Sequence, residues 1–297
     1  MKVGILGGGR WGQALARLVI AAGNEPLIAY RDKRPPNMLK STKDVASVPP
    51  QCDLLFVATS ASEVRQAIQT THPHPGNRII VAGRGLEPST GRWLTDVVME
   101  ECDAVRVGAL AGPAPVSEIL NGGLCAGVVA SDYAEVRRLA TQALHSSRYR
   151  VYDSDDLAGV QLAGAIVPVL ATMVGLGSQL RGSGVGMHAM VLSRGLAEAS
   201  RLAVKMGGDA STFAGLAGVG DLVAAQSSKD HPNFLAGVAL AKGNRDSGPL
   251  PIAKALLGRA KDLRVEMPLT EALVRIYDGE HPLEAVQRLM ARDAAAE

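Results

Sequence analysis

The chain has 297 residues, of which 47% are hydrophobic, and this length is enough for two domains that each bury a core. Its 31 Lys and Arg residues nearly balance its 29 Asp and Glu residues, for a net charge of +2. This balance lacks the basic excess of proteins that bind nucleic acid or an anionic membrane, so we expect neither partner; a few local cations can still bind a small anion.

The first half of the chain alternates β-prone apolar runs with segments whose apolar residues recur at helical spacing. We predict strands at residues 2–6, 26–30, 52–59, 78–82 and 104–110, and helices at residues 11–22 and 61–69. Strands that alternate with helices in this way predict a parallel sheet with crossover helices.

A glycine motif lies between the first predicted strand and the first predicted helix, where residues 7–12 read Gly-Gly-Gly-Arg-Trp-Gly. In this position Gly7 permits a tight turn, Gly9 lets the backbone approach a pyrophosphate, and Gly12 lets helix and strand pack closely. The N-terminus of the helix then offers unpaired N–H groups to phosphate. The motif predicts a dinucleotide-binding domain of the Rossmann type, and a purely structural glycine turn is the alternative. The residues that we expect beside the cofactor are Gly7, Gly9, Arg10, Trp11 and Gly12.

The end of the second strand bears on which cofactor binds. An acidic residue here normally binds the ribose hydroxyls of NAD, but this chain has Arg31 followed by Asp32. An arginine can pair with a 2′-phosphate and stack on adenine. We therefore predict a nicotinamide cofactor, with Arg31 favouring NADP and Asp32 keeping NAD open. A solvated surface arginine is the alternative.

The character of the sequence changes near residue 153, after which strand patterns give way to helical ones. The helical candidates are residues 157–180, 187–207, 212–226, 250–264 and 268–277. We predict an α/β chain in which a doubly wound parallel sheet at residues 1–153 is followed by an all-α domain at residues 154–297.

The cysteines and the start of the chain suggest a compartment. Cys52, Cys102 and Cys125 are far apart and form no Cys-x-x-Cys pair, which is typical of free thiols in a reducing environment. Residues 1–6 lack the apolar segment of a signal peptide, and no apolar run approaches the length that crosses a bilayer. We expect a cytoplasmic protein. We expect no metal site, since the histidines at 72–75 lie in a proline-rich stretch typical of a surface loop.

Several motifs along the chain are more specific. Residues 212–222, TFAGLAGVGDL, resemble the TF-GLAG-GDL segment of NAD(P)-dependent glycerol-3-phosphate dehydrogenases. Residues 193–198, SRGLAE, are similar to the TRGL-E helix of that family, and residues 265–269, VEMPL, to its VEMPI segment. Residues 83–87, GRGLE, and residues 111–113, AGP, fall where the family has KGLE and SGP. These matches run in order along nearly the whole chain, so the sequence is identified as a member of this family.

The resemblance implies a dehydrogenase that interconverts glycerol 3-phosphate and dihydroxyacetone phosphate, and a homodimer joined through the helical domain. This reaction needs a proton donor and acceptor at the reacting oxygen, and cations that hold the phosphate. By resemblance, Asp221 and Arg84 belong to the catalytic site, with Arg84 in place of the lysine of KGLE.

Other positions depart from the family's pattern. Val167 stands where the ALKN segment of the family has its proton-handling lysine, and Ala225 replaces a threonine on the substrate side. Residues 229–233 lack the arginine of the family's SRN segment, for which Lys229 could substitute in part. His188, near the substrate side by resemblance, is the remaining candidate for proton exchange, because histidine titrates near neutral pH. A structural histidine is the alternative.

Three functions remain open from the sequence. The first is a dehydrogenase acting on glycerol 3-phosphate or a similar small anion, with Arg84, Asp221 and His188 in the catalytic site. The second is a dehydrogenase for a different small alcohol or imine, and the third is a non-catalytic protein that binds the nucleotide.

Overall fold

An eight-stranded sheet occupies the first half of the chain in the computed structural model, which describes residues 1–32, 34–227 and 230–291. Its strands are β1 (Lys2–Leu6), β2 (Glu25–Ala29), β3 (Ser41–Thr42), β4 (Leu54–Val57), β5 (Arg78–Val81), β6 (Arg106–Ala111), β7 (Cys125–Ala130) and β8 (Tyr149–Ser154). Their order across the sheet is β3-β2-β1-β4-β5-β6-β7-β8. Neighbouring strands are parallel except β6 and β7, which are antiparallel.

Helices cover both faces of this sheet: α1 (Arg10–Ala21), α2 (Val64–Thr71), α3 (Leu94–Glu101), α4 (Val116–Leu120) and α5 (Ala134–Leu144). In β4, Leu54 and Phe56 pack in the same layer as α1 and α5, whereas Leu55 and Val57 pack with α2 and α3. All four side chains are fully buried. A strand that is covered on both faces reads as a continuous apolar run, which is why the pattern was visible in the sequence. The predicted doubly wound sheet is confirmed.

The strand prediction was incomplete at the edges of the sheet. Five of the eight strands were predicted, whereas β3, β7 and β8 were missed. β7 reads Cys-Ala-Gly-Val-Val-Ala, and small residues of this kind carry little β preference of their own. β8 lies at the edge, where its first four side chains are alternately buried and exposed. These two strands pair with each other in parallel and join the sheet through the antiparallel edge of β6.

The second half is helical, and its elements pack around one long central helix. The helices are α6 (Leu157–Gly177), α7 (Val185–Lys205), α8 (Asp221–Ser227), α9 (Pro232–Ala241), α10 (Leu250–Asp262), α11 (Pro268–Tyr277) and α12 (Pro282–Met290). By length and composition alone α6 could cross a membrane, but 89% of its most apolar window is buried inside the protein, as in a core helix. The side chain of Asp156 caps this helix by accepting a hydrogen bond from Gly159 N at 2.8 Å.

The single helix predicted at residues 212–226 was wrong. The structure has a 3₁₀ turn at Ala210–Ala214, a π-helical turn at Leu216–Gly220, and only then α8. A Cβ at Gly218 would lie 2.2 Å from Phe213 O, so this turn folds back closely on the one before it. The break sets the start of α8, and with it the position of Asp221.

Candidate functional site

The glycine motif forms a sharp turn between β1 and α1. Gly7 has a φ of +125°, and a Cβ there would lie 2.7 Å from Ala58 O. A Cβ at Gly12 would lie 1.9 Å from Gly7 O, so no larger residue fits between the turn and the helix. A Cβ at Gly9 would meet nothing within 4 Å. Gly7 and Gly12 are thus required by the protein itself, whereas Gly9 leaves space beside the loop.

The space beside this turn is a cavity of about 640 Å³, called the first cavity below. Its walls come from the glycine loop, the end of β2 and the first turns before and within α2. The lining residues with polar side chains include Arg10, Arg31, Asp32, Glu63 and Gln66. A cleft at the carboxyl ends of β1 and β2, next to a helix N-terminus, is where doubly wound sheets bind nucleotides.

Arg31 is held at the rim of the first cavity by two carboxylates. Its Nε donates to Asp32 Oδ2 at 2.9 Å, and its Nη2 donates to Glu63 Oε1 at 3.0 Å. The Arg31 side chain is 64% exposed, so these ion pairs are screened by water. A hydrogen bond from Ser60 and the neighbouring Arg31 guanidinium lower the pKa of Glu63 below its ordinary value. Arg31 and the glycine loop therefore lie on one cavity, as the cofactor prediction requires.

A second cavity, of about 800 Å³, adjoins the first, and both are lined by Arg10, Ala58, Thr59 and Ser60. It is enclosed by the ends of β4 and β5, the segment before α4, and the starts of α8 and α9. Trp11 stands on its wall, where the indole Nε1 donates to Ala82 O at 2.8 Å. The polar residues that line this second cavity include Arg84, Asp221, His231 and Asn233.

Arg84 and Asp221 form a bidentate ion pair on the wall of the second cavity. Arg84 Nη2 donates to Asp221 Oδ1 at 3.1 Å and to Gly112 O at 3.1 Å, and Arg84 Nη1 donates to Asp221 Oδ2. The Asp221 side chain is only 4% exposed, while that of Arg84 is 29% exposed. Burial raises the pKa of Asp221 above its ordinary value, and the Arg84 guanidinium opposes that shift. The structure thus brings together two residues that the sequence had connected only by resemblance.

The loop that carries Arg84 is anchored from behind by a second ion pair. Arg65 of α2 donates from Nε to Glu87 Oε1 at 2.7 Å and from Nη2 to Glu87 Oε2 at 2.9 Å. Glu87 is 5% exposed, and its bonds to Arg65 lower its pKa. Between the anchor and Arg84, Gly85 has a φ of +108°, which an L side chain rarely adopts. These features hold the guanidinium of Arg84 in a defined position.

His231, which was not predicted as a site residue, is a histidine that lines the second cavity. It is the N-cap residue of α9, directly before Pro232, and its side chain makes no capping hydrogen bond. The Nδ1 atom is shielded from solvent and has no hydrogen-bond partner among the described residues. Burial, with a further contribution from the Arg84 charge, lowers the pKa of His231 to about 4. A polar residue followed by proline is a helix-start signal that could have located α9 in the sequence.

The position of α9 depends on its close crossing with α6. A Cβ at Gly175 would lie 2.0 Å from Phe234 O, and a Cβ at Gly237 would lie 2.0 Å from Thr172 O. Thr172 Oγ1 also bonds to Asn233 O at 3.0 Å. The two backbones touch at this crossing, so the first turn of α9 is fixed against the central helix.

The other residues singled out in the sequence differ in their positions relative to the two cavities. His188 is in the first turn of α7, its Nε2 is buried without a partner, and it lines neither cavity. Its catalytic role stays a prediction that the structure does not support by proximity. Val167 is fully buried in the apolar core around α6, whereas Ala225 lines the second cavity. Lys229 lies outside the described residues. Within the described ranges, no group of three or more His, Cys, Asp or Glu side chains could hold a metal ion.

Sequence models of one known protein family match both halves of the chain. Residues 29–137 match the N-terminal sequence model of NAD-dependent glycerol-3-phosphate dehydrogenase, and residues 156–288 match the C-terminal one. The chain belongs to the NAD-dependent glycerol-3-phosphate dehydrogenase family. The resemblance seen in the sequence is thereby confirmed.

Individual members of the family align over nearly their full length. The glycerol-3-phosphate dehydrogenase [NAD(P)+] of Ectopseudomonas mendocina is 33% identical, over 97% of this chain and 94% of its own. The enzyme of the same name from Nitrosococcus oceani is 34% identical, over 99% and 94%. The crystal structure of glycerol-3-phosphate dehydrogenase from Coxiella burnetii superimposes with a TM-score of 0.90 and 27% identity, covering 98% of this chain and 99% of that one. Sequence and fold therefore agree on the family.

Proposed function

We propose that this protein interconverts glycerol 3-phosphate and dihydroxyacetone phosphate, with a nicotinamide dinucleotide bound across the two cavities. The observation that carries the proposal is that these cavities adjoin, since they share four lining residues. One end leads to the glycine loop and Arg31, and the other leads to the Arg84–Asp221 pair. Relatives at 33% and 34% identity bear the name of an NAD(P)-dependent enzyme for this phosphorylated substrate.

The residues of the first cavity fit a dinucleotide. The backbone at Gly9 is bare on the side where a Cβ would project, and α1 has no acidic residue in its first turn. The unpaired N–H groups at this helix start are the usual partners of a pyrophosphate. When bound, the nicotinamide ring supplies the acceptor or donor of a hydride.

The second cavity supplies hydrogen-bond donors for a small anion. The guanidinium of Arg84 has five N–H groups, of which three bond to Asp221 and Gly112. Two N–H groups remain for a substrate oxygen, and Asp221 keeps the guanidinium in one orientation. Arg10 and the hydroxyl of Ser117 also line this cavity and are suited to a phosphate.

The adenosine end of the first cavity bears on cofactor choice. We propose that Arg31 binds the 2′-phosphate of NADP. Its ion pairs with Asp32 and Glu63 are exposed to water, so replacing them with a bond to the phosphate costs little free energy. The two carboxylates remain nearby and oppose a phosphate dianion, so NAD is accepted as well.

A second candidate function follows from Val167. In the resemblance this residue replaces the lysine that handles the proton, and in the structure it is fully buried among apolar side chains. If no other group takes over, the protein turns over a different substrate or binds the nucleotide without catalysis.

We also propose that the protein acts in the cytoplasm as a homodimer joined through its helical half, as the resemblance implies. Val185 and Val204, near the two ends of α7, are 86% and 55% exposed and are available for such a contact. Sedimentation velocity of the purified chain tests this assembly, and a purely monomeric species at micromolar concentration would contradict it.

One experiment separates the candidate functions. Dihydroxyacetone phosphate is added to the protein with reduced cofactor, and oxidation of the cofactor is followed by the decrease in its absorbance. In parallel, calorimetry measures the binding of NADPH and NADH. Turnover supports the first function. Binding without turnover overturns it, and a panel of other carbonyl compounds then separates a different substrate from a non-catalytic protein.

A further inference from the structure

The second cavity contains a histidine with an unpartnered, buried ring nitrogen. His231 lies on the same cavity as Arg84 and Asp221, at the start of α9. Pro232 occupies the first helical position, so the backbone at this helix start is restricted in conformation. The side chain does not cap the helix, which leaves the imidazole free of any structural hydrogen bond that the described residues supply.

The surroundings of the imidazole keep it neutral. Burial disfavours the charged imidazolium, and a neutral imidazole carries one proton; with that proton on the shielded Nδ1, the lone pair of Nε2 is free to accept another. The charged groups that line this cavity in the described part of the chain are Arg10, Arg84, Asp221 and Asp230. Asp221 is engaged by Arg84, and Arg84 is the charge that adds to burial in lowering the pKa of His231. With Nδ1 enclosed, Nε2 is the nitrogen available to a ligand.

We propose that His231 is the acid–base residue of the second cavity, and that it exchanges the proton of the substrate hydroxyl through Nε2. This inference rests on the proposed function, and it supplies the proton-handling group that the buried Val167 cannot provide. It replaces His188, which lines neither cavity.

The step balances in atoms and charge. Oxidation of a secondary alcohol breaks the C–H bond, whose hydride goes to the nicotinamide, and the O–H bond, whose proton goes to Nε2 of His231. The products are a ketone, the reduced cofactor and an imidazolium ion, which afterwards releases its proton to water. In the reverse direction the imidazolium protonates the oxygen of the ketone.

Substrate binding is expected to tune this residue. An anion placed between Arg84 and His231 offsets the guanidinium charge and stabilises the imidazolium, so it raises the pKa of His231 from about 4 towards its ordinary value of 6.5. A base with a pKa nearer to neutrality is also a more effective proton acceptor. The bound anion therefore activates the group that removes its proton.

The first test is proton uptake, which does not depend on turnover. Calorimetry of dihydroxyacetone phosphate binding to the protein with oxidised cofactor, which cannot react, is run at about pH 5.5 in two buffers of different ionisation enthalpy. We expect the unaltered protein to take up about half a proton or more relative to His231→Gln, because the proton that the substrate phosphate itself exchanges near its second pKa of about 6 is common to both proteins. His72→Gln, at an exposed histidine after α2, is the matched control and keeps the uptake. Equal uptake in His231→Gln and the unaltered protein would overturn the proposal.

The second test is the pH profile of glycerol 3-phosphate oxidation. In the unaltered protein kcat/KM should rise with pH through a limb near 4, set by free His231. His231→Gln should lose this limb and lower kcat by about 100-fold or more, and imidazole should partly rescue His231→Ala. His188→Gln should retain both the pH limb and the kcat of the unaltered protein. If only His188→Gln loses the pH limb, His188 and not His231 exchanges the proton.

The two tests distinguish failure of this inference from failure of the proposed function. If the unaltered protein shows no turnover but binds the phosphate with His231-dependent proton uptake, the assigned substrate reaction is wrong and the role of His231 in binding stands. If turnover is normal and the pH profile of His231→Gln is unchanged, the function stands and this inference fails. Thermal unfolding of each variant shows that the fold is intact.

Discussion

Arg84 and Asp221, separated by 137 positions in the chain, join the sheet half to the helical half through a bidentate ion pair. The aspartate is nearly enclosed, while the guanidinium faces the second cavity. The carboxylate therefore acts as a positioning group that holds the cation at the substrate side. The pair also fixes where α8 meets the loop after β5.

Asp221→Asn tests this arrangement. The amide keeps the shape of the side chain but removes the charge, so Arg84 loses its bidentate acceptor and its fixed orientation. We expect kcat/KM for dihydroxyacetone phosphate to fall by about 10-fold to 100-fold, with cofactor affinity unchanged. Steady-state kinetics and calorimetry measure the two effects. Asp278→Asn, which removes an exposed carboxylate paired with Lys254, is the control and should leave both unchanged.

The glycine loop provides a contrast between two substitutions. Gly9→Val should abolish NADPH binding yet leave the fold intact, because a Cβ at Gly9 meets no protein atom within 4 Å and projects where the pyrophosphate is proposed to lie. Gly12→Val should instead destabilise the protein strongly, since its Cβ would lie 1.9 Å from Gly7 O. Calorimetry measures NADPH binding to the Gly9 variant, and thermal unfolding measures the stability of both variants. Normal NADPH affinity in the Gly9 variant would contradict the placement of the cofactor.

Cofactor preference should respond to the charges around Arg31. Glu63→Gln removes one carboxylate that pairs with Arg31, so repulsion of a 2′-phosphate falls. We expect the ratio of NADPH to NADH affinity to rise by about 2-fold to 10-fold, since the group is partly exposed. Arg31→Ala should shift the ratio the opposite way. If neither variant changes the ratio, the 2′-phosphate lies away from Arg31.

A buried carboxylate in α7 should make stability depend on pH. Glu198 is 2% exposed, its Oε1 accepts from Leu269 N at 2.8 Å, and its Oε2 has no partner among the described residues. Burial raises its pKa to about 7, above the ordinary 4.5. Between these values the folded protein binds more protons than the unfolded chain, so the free energy of unfolding falls as pH rises through this window.

Glu198→Gln should remove this decrease in the free energy of unfolding at high pH. The amide oxygen can keep the bond to Leu269 N, and no charge is buried at high pH. At about pH 8 the variant should be more stable by up to about 3 kcal/mol, with little difference near pH 5. Urea unfolding at both values measures this. Glu284→Gln, an exposed residue in the first turn of α12, serves as the control. A pH-independent effect of Glu198→Gln would show that the carboxylate stays well solvated.

The cofactor half of the site could be predicted from the sequence because its requirements are local. The turn at Gly7, the bare backbone at Gly9 and the close packing at Gly12 all arise within a few residues, between a strand and a helix that their apolar patterns reveal. Arg31 was found for the same reason, since it lies two residues after the end of β2. Edge strands such as β8 were missed because only one face of the strand is buried.

The substrate half depends on contacts between distant segments, which no local pattern encodes. The Arg84–Asp221 pair was connected beforehand only by resemblance, and His231 was overlooked although it lines the same cavity. Its place follows from the crossing of α6 and α9, where Gly175 and Gly237 let the two backbones touch. His188 was a candidate because it is a histidine near the substrate side by resemblance, but it lines neither cavity.

The sequence by itself determined the alternation of strands and helices in the first half of the chain, the glycine turn and the family, because short-range sterics and apolar periodicity depend on neighbouring residues. The tertiary structure alone decided which charged and titratable side chains share the second cavity. Their proximity results from packing two halves of the chain against each other, and the pKa values of Asp221 and His231 depend on the burial that this packing creates.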